Sequence, residues 1–105
     1  MTYGYIRVST DMQTTENQKL AIEQWCIDNN KHVDEWISET ISGTKLPKDR
    51  KLGGLLNKLQ QDDVLIVTEL SRLGRSLTMI FNEIQLLIDK KVKLYAIKEN
   101  FILAD

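Results

Sequence analysis

The chain has 105 residues, of which 42% are hydrophobic and 28% charged; this suits one packed core, falls short of two domains, and excludes a disordered chain. Fourteen basic against fifteen acidic side chains leave a formal charge of -1. That excludes a broadly basic surface, so an anionic partner would have to be met by a local cluster of cations, with another domain supplying affinity for a polymer such as nucleic acid. The single cysteine, Cys26, rules out an internal disulfide and fits a reducing cytoplasm, and its apolar surroundings (Trp25, Ile27) read as packed core. Met1 leads into a strand-like run with neither a basic start nor a cleavage site, so no signal peptide is expected. No apolar segment approaches the roughly 20 residues of a membrane helix.

Residues 3–8 are short, aromatic and β-branched, which predicts a strand. A polar loop follows, and Thr14 or Thr15 can cap a helix reaching about Asn30, with Glu16 in its favourable first turn. Its apolar members (Leu20, Ala21, Ile22, Trp25, Cys26, Ile27) spread over a wide face, which predicts substantial cover. Residues 33–37 predict a second strand. Residues 38–50 hold Gly43, the only proline (Pro47) and several charges, and are expected to form a long mobile loop. Leu52, Leu55, Leu56 and Leu59 then follow helical spacing, with Gly53 and Gly54 weakening the first turn but allowing close approach. Residues 64–67 are continuously apolar, as in a strand covered on both faces. After an arginine-bearing turn comes a helix over residues 77–90 with Leu77, Ile80, Phe81, Ile84, Leu87 and Ile88 as its apolar stripe. Lys90 and Lys91 suit its negative end. Residues 92–97 predict another strand. The β-α-β-α-β-α-β order predicts an α/β fold, a three-layer αβα sandwich around a mainly parallel sheet of about four to five strands. Function is expected in loops at the strands' carboxyl ends.

Two such loops carry suggestive chemistry. Alternation along Tyr5-Ile6-Arg7-Val8-Ser9 puts Tyr5, Arg7 and Ser9 on one face and Ile6 and Val8 on the other. An arginine on a buried strand requires a partner, and a protein carboxylate or a bound phosphate would each serve. In Leu70-Ser71-Arg72-Leu73-Gly74-Arg75-Ser76, two arginines three apart can present planar forks to one oxyanion, or be solvated on the loop. The one histidine, His32, has no neighbour that makes it a ligand or base, so neither a metal nor a cofactor is expected. A hydroxyl nucleophile with several arginines describes phosphoryl transfer by positioning and charge.

These segments resemble the resolvase/invertase group of serine recombinases. The resemblance rests on Gly4-Tyr5-Ile6-Arg7-Val8-Ser9-Thr10, Gln18, Ser42-Gly43, Asp49-Arg50 and Leu70-Ser71-Arg72-Leu73-Gly74-Arg75, in the family's order and across almost the whole chain. Glu39-Thr40-Ile41-Ser42-Gly43-Thr44 together with the segment from Glu69 to Arg75 looks most like DNA invertases of gut bacteria. The resemblance implies that Ser9 attacks a DNA phosphodiester to form a 5'-phosphoseryl link. Arg7, Arg50, Arg72 and Arg75 would hold the scissile phosphate, with Tyr5, Gln18, Glu39, Ser42 and Ser71 in support. Arg50 would close on the phosphate only in an assembled complex. It further implies a bacterial cytoplasmic, nucleoid-associated enzyme acting on double-stranded DNA as a homodimer that assembles to a tetramer. Ser71 stands where the family usually has an aspartate, a candidate acid for the leaving hydroxyl; serine relays a proton but is no carboxylic acid. Glu39 stands where aspartate is usual. Family members continue into a long dimer helix and a helix-turn-helix domain, and Asp105 precedes both, so the fragment alone is expected to be inactive. The residue chemistry without the resemblance also accommodates a phosphate-sensing α/β module or a serine phosphoesterase on a small substrate.

Overall fold

The structure is a computed structural model that describes residues 1–8, 15–42, 44–46 and 49–103. In chain order its elements are β1 (Thr2–Val8), α1 (Glu16–Asp28), β2 (Glu35–Thr40), α2 (Lys51–Lys58), β3 (Val64–Val67), a one-turn 3-10 helix (Leu70–Arg72), α3 (Leu77–Lys90), β4 (Lys93–Ala96) and β5 (Phe101–Leu103). The strands make one five-stranded sheet in the order β2-β1-β3-β4-β5. β1 pairs parallel with β2 and β3, and β3 with β4; the final pair, β4 with β5, is antiparallel.

Period-2 alternation sorts the strands' side chains between two cores. Tyr3 and Tyr5 of β1, Leu65 and Val67 of β3, and Leu94 of β4 face α2 and α3, where Leu52, Leu55, Leu56, Leu59 and Leu87 meet them. Ile6, Val64 and Ile66 point the other way, onto Ile22 and Cys26 of α1. This is the expected αβα sandwich. All four residues of β3 are buried, each worth roughly 1.5–3 kcal/mol before chain entropy is subtracted. Cys26 is buried as expected, and that burial raises its thiol pKa.

Several local expectations are corrected. α1 buries only the narrow stripe Gln18, Ile22 and Cys26, while Leu20 and Ile27 are exposed. One i, i+4, i+8 row suffices to cover that face of a short sheet, and the outer residues have nothing to pack on. Thr15 occupies the N-cap but makes no side-chain cap, because its own backbone is already helical and turns the hydroxyl from the free amides; Thr14 lies outside the described residues. The second strand starts later and runs through Ser38, Glu39 and Thr40, so the expected loop begins only after β2. Its pairing explains the shift, for Arg7 sits opposite Glu39 and Val8 opposite Thr40. Gly54 makes no close approach, as an added Cβ would meet nothing within 4 Å.

α3 has the expected bounds, and the Ser76 hydroxyl caps it by accepting from the Met79 amide at 3.1 Å. Its buried row is Ile80, Glu83 and Leu87, whereas Leu77, Phe81 and Ile88 are exposed. Lys90 does not serve its own helix end. Its Nζ crosses to the C-terminal carbonyls of α2, donating to Leu56 at 2.6 Å and more weakly to Asn57 and Leu59. Lys91 closes α3 in the left-handed conformation at φ 60°.

Candidate active site

The strand order reverses direction between β1 and β3: β2 lies on one side of that pair and β4 on the other. In an open parallel sheet the helices diverge at such a switch point and leave a crevice at the strands' carboxyl ends. β1 delivers Arg7 and Val8 there, and β3 delivers Thr68, Glu69 and the 3-10 turn with Arg72. Ser9, the next residue after Val8, lies outside the described residues, as does Gly43.

Arg7 is 1% exposed, the largest of the fully buried side chains. Its expected anionic partner is not a carboxylate among the described residues. Instead Nε donates to the Arg72 carbonyl at 3.0 Å, Nη1 to Ile41 at 3.1 Å and Nη2 to Ser71 at 2.8 Å. Three carbonyl dipoles satisfy the buried cation, and in return the guanidinium ties the end of β2 to the 3-10 turn. Burial lowers its pKa, and the neighbouring Arg50, Arg72 and Arg75 push the same way. Arg50, Arg72 and Arg75 all lie near enough to Arg7 to repel it, and that mutual repulsion favours an anion nearby.

Arg50 departs most from expectation. Rather than reaching out from a loop, it is buried at the N-cap of α2. Nη1 donates to the Leu73 carbonyl at 2.9 Å, and Nη2 to the Tyr5 hydroxyl at 2.6 Å and the Arg72 carbonyl at 3.0 Å. The Tyr5 hydroxyl donates in turn to Glu39 Oε2 at 2.6 Å. Burial raises the Tyr5 pKa, with Arg50 opposing and Glu39 adding to the rise. Glu39 then accepts from the Lys51 amide at 2.8 Å and the Leu52 amide at 3.2 Å. A carboxylate on the first free amides of α2 has the favourable side of the helix dipole. This explains how a buried glutamate and a buried arginine, 3.8 Å apart, share one core.

Gln18 reaches from α1 to the end of β1, where Nε2 donates to the Arg7 carbonyl at 3.0 Å. Arg72 Nη1 donates to the same carbonyl at 3.2 Å, and Nη2 pairs with Glu69 at 2.9 Å. Arg75 is exposed at the start of the turn into α3. Ser71 contributes its carbonyl to Arg7, and its side chain is exposed. Ser42 is not drawn in by a hydrogen bond: its hydroxyl pairs with Thr44 at 2.8 Å. His32 is exposed, away from the crevice.

Two charged groups escaped the sequence reading. Glu69 stood in a quoted motif without a role, yet pairs with both Arg72 and Lys98. Glu83 is 3% exposed, and neither oxygen is hydrogen-bonded among the described residues. Strict i, i+3, i+7 spacing from Ile80 to Leu87 would have placed it inside; following only apolar letters missed it.

The family profile described as Resolvase, N terminal domain matches residues 2–105. The chain belongs to the resolvase family. It is a catalytic domain of the serine site-specific recombinase type. It is 34% identical over 97 residues to the Transposon Tn2501 resolvase of Escherichia coli, covering 90% of this chain and 48% of that protein. With the Transposon Tn1546 resolvase of Enterococcus faecium it shares 36% over 100 residues, 94% of this chain and 48% of the relative. The serine recombinase PinR of Escherichia coli is 32% identical over 97 residues, 90% of this chain and 48% of its own length. The chain thus spans about half the length of these relatives. The N-terminal catalytic domain of TP901-1 integrase superposes with a TM-score of 0.82 at 20% identity, covering 97% of this chain and 81% of that one. That likeness supports the fold alone. No helix among the described residues is long and apolar enough to cross a membrane.

Proposed function

We propose that the whole protein is a site-specific DNA recombinase that cleaves and rejoins strands through Ser9. The Ser9 hydroxyl oxygen attacks phosphorus and the bond from phosphorus to the 3' oxygen breaks. The product is a 5'-phosphoseryl link and a 3'-hydroxyl, one proton leaving Ser9 and one reaching the 3' oxygen. The observation that carries this reading is the convergence of Arg7, Arg50, Arg72 and Arg75 at the carboxyl end of the strand that leads into Ser9. Preorganised cations at the developing charge lower the barrier to phosphoryl transfer, because little reorganisation remains to be done.

The arginines take different roles. Arg72 and Arg75 hold the scissile phosphate. Arg7, spent on three carbonyls, fixes the 3-10 turn and adds its charge through space. Arg50 does the same until an assembled complex draws it onto the phosphate. Tyr5, Glu39 and Gln18 keep these arginines in place, Ser42 lies beside the Ile41 carbonyl that Arg7 uses, and Ser71 relays the proton to the leaving oxygen. The substrate is double-stranded DNA, bound by a homodimer that pairs into a tetramer, in a chain that continues past Asp105 into a dimer helix and a DNA-reading domain. The likeness of segments 39–44 and 69–75 to DNA invertases supports reading the protein as an invertase that acts inside the bacterial cell.

The test is covalent capture. Full-length protein incubated with a nicked recombination site should give a denaturant-resistant adduct that maps to Ser9, and Ser9→Ala should abolish it while DNA affinity is retained. Strand cleavage without an adduct rules the mechanism out.

A further inference from the structure

Arg72 is not fully used. Nη1 is on the Arg7 carbonyl and Nη2 on Glu69 Oε1, while Nε is buried and finds no hydrogen-bond partner among the described residues. Nε and Nη2 form the side-on edge of a guanidinium, the edge that takes two oxygens of a carboxylate or phosphate in parallel. Glu69 presents one oxygen to that edge. Its other oxygen, Oε2, turns to Lys98 Nζ at 3.2 Å. Glu69 is thus divided between a partly buried cation on one side and a lysine that is 75% exposed on the other. The three side chains line a cleft of about 270 Å³ with Gln18 and Thr68, whose Oε1 and Oγ1 are also buried without partners. Glu69 borders this cleft.

We propose that Glu69 is a resident counter-ion that keeps the side-on edge of Arg72 aimed into the crevice and passes to Lys98 when a DNA phosphate takes that edge. The inference rests on Arg72 holding phosphate. A phosphate makes two charge-assisted bonds where Glu69 makes one, so exchange at Arg72 favours the phosphate. A carboxylate released beside a polyanion would oppose binding, and Lys98 keeps it neutralised. Glu69 is therefore a positioning residue whose competition shows in affinity for phosphate, and Lys98 sets how strongly it competes.

The experiment titrates inorganic phosphate into the full-length protein and follows the Arg72 Nε–H resonance by nitrogen-15 NMR. Glu69→Gln should tighten phosphate binding and Lys98→Met should weaken it, each by roughly two- to fivefold at low salt, the range of a partly exposed ion pair. In the Glu69→Gln background, Lys98→Met should have no effect. Equal affinity in wild type and Glu69→Gln overturns the proposal. So does an equal loss from Lys98→Met in both backgrounds, which would make Lys98 a direct phosphate ligand. A gain from Glu69→Gln that persists in an Arg72→Gln background is a bulk charge effect and overturns it too. Failure of the parent reading is separable: phosphate would then leave the Arg72 resonance unmoved in every variant, and no Ser9 adduct would form.

Discussion

Replacing Glu83 with glutamine should stabilise the domain at pH 8 and change little at pH 5. Glu83 lies on the buried row of α3 with no hydrogen bond to either oxygen among the described residues, so its charged form loses hydration and gains no bond in exchange. Burial raises its pKa from 4.5 to about 7, with the nearby Arg50 pulling it partly back. The sign follows from proton counts. Between those two values the unfolded chain has released a proton that the folded chain keeps, so stability falls as pH rises through this window and levels off above it. At about 1.4 kcal/mol per unit, the penalty grows from under about 1 kcal/mol at pH 5 to about 3 kcal/mol at pH 8. Glutamine has the shape of the protonated acid and cannot ionise. The variant should therefore match wild type within about 1 kcal/mol at pH 5 and exceed it by about 2–3 kcal/mol at pH 8, a rise in Tm of roughly 10–20 °C for a domain of this size. Urea unfolding followed by circular dichroism at both pH values measures the difference. An identical gain at the two pH values would refute the reasoning, since a packing effect does not titrate.

Two further substitutions probe the frame around the site. Gly4→Ala would put a Cβ 2.6 Å from Trp36 Cζ3 and 2.7 Å from Cε3; pushing the indole aside should cost about 1–3 kcal/mol in thermal or urea unfolding, and an unchanged midpoint would mean the ring moves freely. Ser76→Ala removes the cap on α3, held through the Met79 amide, and should cost about 1 kcal/mol, with Ser76→Asp restoring it; if Asp does not restore stability, the hydroxyl acts by something other than capping.

The crevice depends on packing far more than on surface charge. Arg7 and Arg50 between them take the carbonyls of Ile41, Ser71, Arg72 and Leu73, so one strand end, one helix start and the 3-10 turn are locked to two guanidiniums. A lysine at either position offers a point charge in place of a planar fork and cannot reproduce that pattern. The same fact accounts for a chain of net charge -1 gathering four arginines at one place. Carbonyl dipoles satisfy Arg7 and most of Arg50, while Glu69 pairs with Arg72 and Glu39 stands 3.8 Å from Arg50.

Much of this was readable from local patterns. The continuous apolar run of β3, the leucine spacing of α2 and the alternation of β1 each state a period that only one kind of element satisfies. Their order then leaves a mainly parallel sheet covered on both faces, with Arg7 and Arg72 at the carboxyl ends of β1 and β3. Arg72, in the turn that follows β3, was legible as a residue type in a suggestive position for the same reason. What tertiary structure alone decided is the partner of each charge. Whether Arg7 meets a phosphate, a carboxylate or three carbonyls, whether Arg50 reaches outward or turns into the core, and whether Glu83 points in or out depend on atoms distant in sequence. Arg7 and Ser71 are 64 residues apart, and Arg50 and Tyr5 are 45. Periodicity reports which face of an element is covered. Which polar group waits on the other side is settled only when the elements pack, because hydrogen bonding acts over about 3 Å and no local pattern encodes that distance.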